Sequence, residues 1–397
     1  MCPSAWVATN NVSKTKHPPH HPLPHLRFSQ LVLDEAPNTS GAPLSLASRA
    51  GFLTHASLLR LATLSPPSHD FQVAVSGALA GKKQGGSKAK SLTDGVSAYL
   101  AANMKGSLPA ASRVTVQVDA RDAFDTKALV ARAQALVAAC TEAGLKPQTD
   151  VLLRIHATYE GIAAAKTLEA QGIATLISGV YSLAQGIAAV DAGASVVLVG
   201  NRKLGAWYAA HPNVHAAPIG GTRGTRGDAG SLASSAAASA EAGRDLVAAV
   251  QAYAQQKGRR STVMAVATSA EEVRELAGTP ILLVPPKVVM DLAASNTLAG
   301  YNDGLSAVSG GAETAHAGDV APLSARMKER LPSLAAALAT AASGVAAATT
   351  AAAFAACVKD TCPAGMELTQ RDVDRDASAA SSVEAALMKL SHPTGGA

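Results

Sequence analysis

The sequence predicts an α/β fold, a (β/α)8 barrel of the TIM type with extra helices at its C-terminal end. Three observations carry that reading. Short apolar runs of strand length recur eight times, at residues 31–33, near 53, 114–118, 151–155, 174–177, 195–199, 262–267 and 281–284. Helical patterns separate most of them, at residues 57–64, 91–104, 126–143, 161–171, 183–192, 236–257, 270–276 and 287–295. Strands alternating with helices form parallel sheets, and eight such units close into a barrel. The third observation is the stretch VLLRIHATYE at residues 151–160, an apolar strand that carries one cation, Arg154, near its carboxyl end. A lone charge in an apolar strand is costly to bury without a partner, so Arg154 is expected either to point into a wet cleft or to be paired, and that end of a barrel strand is where chemistry sits.

The helices read as amphipathic, with Leu129, Ala133, Leu136 and Ala139 spaced along one face. Two Gly-rich basic loops, residues 81–90 (GKKQGGSKAK) and 219–227 (IGGTRGTRG), interrupt the rhythm. Backbone amides in such loops cradle phosphate, but neither has Walker spacing, and solvated loops are the simpler reading. After residue 298 the pattern changes to an Ala-rich helical region. Residues 322–354 read as one helix, and a short helix around residues 383–390 is expected to pack outside the barrel. The division expected is a tail at 1–28, the barrel at 29–298 and the helical region at 299–397.

With 397 residues, 48% hydrophobic and 16% charged, the chain is long enough for a large, well-filled core. A formal charge of +5 with scattered Arg and Lys, and only 3% aromatic residues, gives no reason to expect nucleic-acid binding. No run of long apolar side chains reaches the roughly 20 residues of a membrane span. Four cysteines, Cys2, Cys140, Cys357 and Cys362, form neither a disulfide framework nor a zinc pattern, and Cys357 and Cys362 read as ordinary reduced thiols rather than a local bridge. No metal or cofactor is expected. No Asp or Glu precedes Asp34, and the first residues hold Lys14, Lys16, Arg27 and a His/Pro cluster at 17–25. That composition is expected either of an organelle transit peptide, for plastid or mitochondrion, or of a disordered tail, in which case the protein is cytoplasmic.

Several motifs in order resemble the transaldolases. RVTVQVDAR at 113–121, followed by AFDT at 123–126, is similar to their third-strand signature; LLRIHATYEGI at 152–162 is similar to their fourth. YSLAQ at 181–185, AGASVVLVGNRKLGAWY at 192–208 and TVMAVATSAEEVRELAG at 262–278 follow with the family's order and spacing. The resemblance implies the barrel fold. It also implies an activity, cofactor-free transfer of a dihydroxyacetone unit between sugar phosphates through a Schiff base on the fourth-strand lysine.

The departures fall on that chemistry. The lysine position is Arg154, and a guanidinium keeps its proton and has no free amine to attack a ketone. The third-strand Glu that acts through water corresponds to Gln117, which cannot shuttle a proton. The fifth-strand Asn and Thr fall on Leu176 and Ser178, the sixth-strand Ser on Leu198, and the phosphate-binding Arg on Lys203 or Arg202. The seventh-strand Ser and Arg fall on Ala267 and Ser269, and the second-strand Asn on His55; the first-strand Asp survives as Asp34. Asp119, Ala120, Arg121, Thr158, Gly161, Trp207 and Tyr208 are retained and read as architectural, with Asp119 and Arg121 pairing across strand ends and Trp207–Tyr208 packing a loop over the barrel rim.

The resemblance therefore implies an inactive transaldolase-like protein of carbohydrate metabolism, a scaffold or assembly subunit with protein partners, or a sugar-phosphate-binding protein. Arg154, Arg202 and Lys203 would hold the anion. The alternative is an active transaldolase of the pentose phosphate pathway, acting on sedoheptulose 7-phosphate and glyceraldehyde 3-phosphate through a relocated lysine, Lys203 or Lys287.

Overall fold

The computed structural model describes residues 30–33, 50–64, 69–80, 88–214, 233–258, 261–285, 287–288, 291 and 323–391. In chain order these form β1 (Gln30–Leu33), β2 (Ala50–Leu53), α1 (His55–Thr63), α2 (His69–Ala80), α3 (Lys88–Gly106), β3 (Arg113–Gln117) and a 3-10 turn, Ala120–Asp122. Next come α4 (Thr126–Glu142), α5 (Pro147–Asp150), β4 (Val151–His156), α6 (Tyr159–Ala170), β5 (Thr175–Val180), α7 (Leu183–Asp191), β6 (Val196–Val199) and α8 (Asn201–Ala210). The remainder is α9 (Ala233–Gln256), β7 (Thr262–Val266), α10 (Ala270–Glu275), β8 (Ile281–Val284), α11 (Leu323–Ala347), α12 (Ala351–Thr361) and α13 (Gly365–Ser391).

Eight parallel strands form one sheet in the order β1-β8-β7-β6-β5-β4-β3-β2, and its two ends, β1 and β2, meet. This is the α/β barrel that the alternation predicts. Strands of four to six residues such as VVLV and ILLV are buried on both faces, which is why they read as continuous apolar runs. The period of two then sorts each strand. On β4, Leu153 and Ile155 join the large cluster under the helices, whereas Leu152 belongs to a second cluster with Phe52, Leu176, Val196, Leu198, Met264, Ile281 and Leu283. That second cluster fills the barrel interior, and Arg154 and His156 lie on the same face of β4 as Leu152, above the apolar plug.

Local chemistry fixes where the helices start. Thr158 caps α6, Asp125 caps α4, and Ser182 makes a full capping box with Gln185 at α7. Gly161 lets α6 begin close to its strand: a Cβ there would lie 2.2 Å from the His156 carbonyl oxygen. Residues 69–80, not expected as a helix, form α2, with Phe71, Ala74, Val75 and Ala78 buried. The expected helix over 322–354 is two helices, because Thr350 takes an extended conformation and caps α12 through the Ala353 amide. Phe354 of α12 packs on Tyr159, with ring centroids 5.8 Å apart.

One packing expectation is corrected. The short helix expected around residues 383–390 is the end of a 27-residue helix, and α13 lies across the carboxyl ends of the strands instead of outside the barrel. Its buried stripe runs through Leu368, Thr369, Asp372, Val373, Asp376, Ala379, Ala380, Val383 and Leu387. Two aspartates in that stripe interrupt its apolar pattern in the sequence. Asp34, Cys2, residues 1–28, residues 81–87 and 219–227, and most of the expected helix 287–295 lie outside the described residues. Among the described residues no helix is long and apolar enough to cross a membrane, and no group of three or more His, Cys, Asp or Glu could hold a metal ion.

Candidate functional site

The register places Gln117 beside Arg154 and His156 beside Ser178, so four polar side chains share the upper layer of the barrel. Arg154 is 8% exposed. Its Nε donates to Ser178 Oγ at 3.1 Å, one terminal nitrogen donates to Gln117 Oε1 at 3.2 Å, and the other stands 3.4 Å from an Asp376 carboxylate oxygen on α13. Ser178 Oγ in turn donates to the Ile155 carbonyl at 3.3 Å. Gln117 is held from both sides: Oε1 also accepts from the His55 backbone at 3.0 Å, and Nε2 donates to Asp376 Oδ2 at 2.8 Å. The cation in the apolar strand is therefore paired, by a carboxylate more than 200 residues later in the chain.

Asp376 is 2% exposed. Its other oxygen accepts from Arg375 at 2.8 and 2.9 Å. Burial alone would raise its pKa, but contacts with His156, Arg154 and Arg375 outweigh burial and hold the carboxyl below its ordinary range. One turn earlier, Asp372 accepts from the Tyr181 hydroxyl and from Lys203 Nζ, with Arg375 3.2 Å away. Burial opposes ionisation there too, and the Lys203 and Tyr181 bonds lower the Asp372 pKa. Tyr181, the largest fully buried side chain among the described residues, is pushed well above its usual pKa, first by burial and then by that carboxylate.

Two histidines flank this network. His55 at the start of α1 is lowered to about 4, chiefly because burial disfavours the imidazolium, and its Nδ1 has no hydrogen-bond partner. His156 is also lowered by burial, although Asp376 pulls the other way. Its Nε2 lies 3.2 Å from Asp376 Oδ2, and its Nδ1 is unpartnered. We read both imidazoles as neutral near pH 7, because desolvation dominates.

Further contacts seat α13. Arg121 bridges Asp119 (2.6 Å) and Glu384, and the Asp119 pKa falls to about 2 against the upward push of burial, mainly through bonds from Arg121. Gln185 Nε2 donates to Thr369 Oγ1 at 2.8 Å, and Trp207 Nε1 to Glu367 at 3.0 Å. Trp207 and Tyr208 belong to α8, so they brace this helix rather than a loop; the Tyr208 hydroxyl lies 3.6 Å from Cys362 Sγ. Cys140, Cys357 and Cys362 are free thiols.

Of the residues singled out in the sequence, Arg154, Gln117 and Ser178 come together and His55 joins them. Lys203 stands at the rim, 44% exposed and bound to Asp372, while Arg202 turns away to Glu272 at 3.1 Å and is 49% exposed. The three cations thus do not converge on one point. Lys287 is exposed just past β8. Leu176 and Leu198 lie in the apolar interior, Ala267 is buried, and Ser269 caps α10. Sequence reasoning missed Tyr181, His156, Asp372 and Asp376. The available signal was spacing, since residues 372 and 376 fall in step with 369, 373, 380, 383 and 387 on one helical face.

Chemically, this layer offers a fixed cation, an amide, a hydroxyl and a carboxylate already bonded to one another. Among the described residues it contains no amine to form an imine. A family model described as transaldolase/fructose-6-phosphate aldolase matches residues 56–330. Among curated relatives, the chain is 30% identical to a transaldolase of Shewanella amazonensis over 186 residues, 47% of this chain and 52% of that protein. It is 29% identical to a Prochlorococcus marinus transaldolase over 185 residues, 46% of this chain and 49% of the relative. It is also 29% identical to the transaldolase of Cricetulus griseus over 250 residues, 62% of this chain and 67% of the relative. The chain spans about half the length of the first two of these relatives. The barrel, the collinear motifs and the extent of the family match together establish that this chain belongs to the transaldolase/fructose-6-phosphate aldolase family.

Proposed function

We propose that this protein is a transaldolase-fold pseudoenzyme, without Schiff-base chemistry, serving as a scaffold or assembly subunit. The observation that carries the reading is the Arg154 guanidinium bonded to Gln117, Ser178 and Asp376 in place of an amine facing a ketone. Schiff-base catalysis needs a lysine made neutral by desolvation or by a neighbouring cation. Lys203 is half exposed against a carboxylate and Lys287 is exposed, so neither is desolvated. The test is borohydride reduction in the presence of fructose 6-phosphate. We expect no protein-linked adduct; an adduct mapped to Lys203 or Lys287 would reinstate the active transferase with a relocated lysine.

A scaffold role is tested by the mass of the native species purified from its source, which we expect to exceed that of the chain alone through bound protein partners. An organellar address for residues 1–28 is part of the same proposal. Import of a fluorescent fusion carrying that segment, lost when its Lys and Arg are replaced, is the expected result.

A further inference from the structure

We infer that helix α13 is an intramolecular inhibitor of its own barrel: its Asp372 and Asp376 carboxylates occupy the cations that an anionic ligand would need, so helix docking and anion binding at the mouth exclude each other. The proposal deepens the function proposed above, since it concerns the regulation of the same site, and it takes the barrel mouth as the place a ligand would enter.

The argument rests on the match between cations and acids. At the mouth, Lys203 and Arg154 approach from two different strands' ends, one at the rim and one inside. Each meets an aspartate of α13, and the two aspartates are four residues apart, one turn of helix, so a single rigid element delivers both charges. Arg375 lies between them, contacting Asp372 at 3.2 Å and Asp376 at 2.8 Å. The neutral donors are engaged in the same way: the Tyr181 hydroxyl binds Asp372 and the Gln117 amide binds Asp376. A phosphate dianion would seek the same donors, cations and hydroxyls within hydrogen-bonding reach. Its ligands are present, but the chain's own carboxylates hold them. The rest of the helix supports this role, because Glu367, Thr369 and Glu384 tie α13 to three different parts of the rim.

The experiment uses the full chain and inorganic phosphate as the probe, followed by isothermal titration. The wild-type protein is expected to show weak binding or none. The Asp372→Asn/Asp376→Asn variant removes both charges with little change in shape, and is expected to bind phosphate at least about tenfold more tightly. Adding Lys203→Met to that variant should abolish the gain. The inference is overturned if wild type binds as tightly as the variant, if the folded variant binds no better than wild type, or if the gain survives loss of Lys203. Should the double variant lose its native circular dichroism, Asp372→Asn alone decides, because it frees Lys203 and leaves the buried Asp376 contacts intact: a gain supports the inference and no gain overturns it. A trapped ketose adduct would defeat the proposed loss of catalysis without touching this titration, so the two failures are distinguishable.

Discussion

Replacing Asp376 with alanine should destabilise the protein by about 3–5 kcal/mol, the usual cost of stranding one member of a buried ion pair. The contacts show where that cost arises. The Arg154 and Asp376 side chains are 10% and 2% exposed, so neither gains much from water when its partner is lost. The Gln117 amide also loses its acceptor, worth about 1–3 kcal/mol when such a group is left buried. Arg375 contributes little, because its half-exposed guanidinium can turn to solvent. Urea unfolding followed by circular dichroism measures the loss. Asp376→Asn should lose less, because an amide oxygen still accepts from Gln117. The double variant Arg154→Met/Asp376→Leu should be less damaged than either single variant, since replacing both charges with apolar groups removes the desolvation along with the attraction. Losses that simply add across this cycle, or an Asp376→Ala protein within about 1 kcal/mol of wild type, would show that the pair does not hold the mouth closed.

Other expectations follow from neighbouring contacts. Arg154→Lys should not restore borohydride trapping, because the introduced amine would face the Asp376 carboxylate and remain an ammonium; a trapped adduct at residue 154 counts against that reasoning. Stability should fall between pH 7 and about 4. The lowered His55 pKa means that the unfolded chain takes up a proton near 6.5 while the folded chain does so only near about 4, so the contribution is complete above the first value and is lost as pH falls to the second. The difference corresponds to about 3 kcal/mol, with His156 acting in the same direction. Urea midpoints that stay level over that range would contradict it, and His55→Asn should reduce the slope. Gly200→Ala should cost about 1–3 kcal/mol, because its Cβ would lie 2.0 Å from the buried Tyr181 ring; normal stability in that variant would mean that the ring is free to move.

Most of the barrel was legible because its rules are local. Strands such as residues 151–156 and 196–199 declare themselves by length and apolar content, and Thr158, Ser182 and Ser269 mark helix starts by side-chain chemistry. For Arg154 the sequence left two settings open, a wet cleft or a paired charge, and the structure shows the paired one. The partner's identity was not legible, because Asp376 lies 222 residues away by number and nothing local joins the two. The same difficulty hid α13. Its aspartates look like solvated charges in RDVDRD, and only the tertiary location of two cations, Lys203 and Arg154, turns them inward. Lys203 and Arg202, adjacent in sequence, were read as one anion site. Their positions on α8 send them to opposite partners, Asp372 and Glu272.

The position of α13 bears on how the molecule is made. A chain emerging from the ribosome completes all eight strands before residue 376 is synthesised. During that interval the guanidinium inside the nascent barrel lacks the Asp376 carboxylate, and the ring of strands is a vessel without its stopper. A premature stop codon between residue 284 and that aspartate would leave every strand in the chain and still remove the carboxylate that pairs Arg154, so a helix near the end of the sequence matters to this protein as much as its centre.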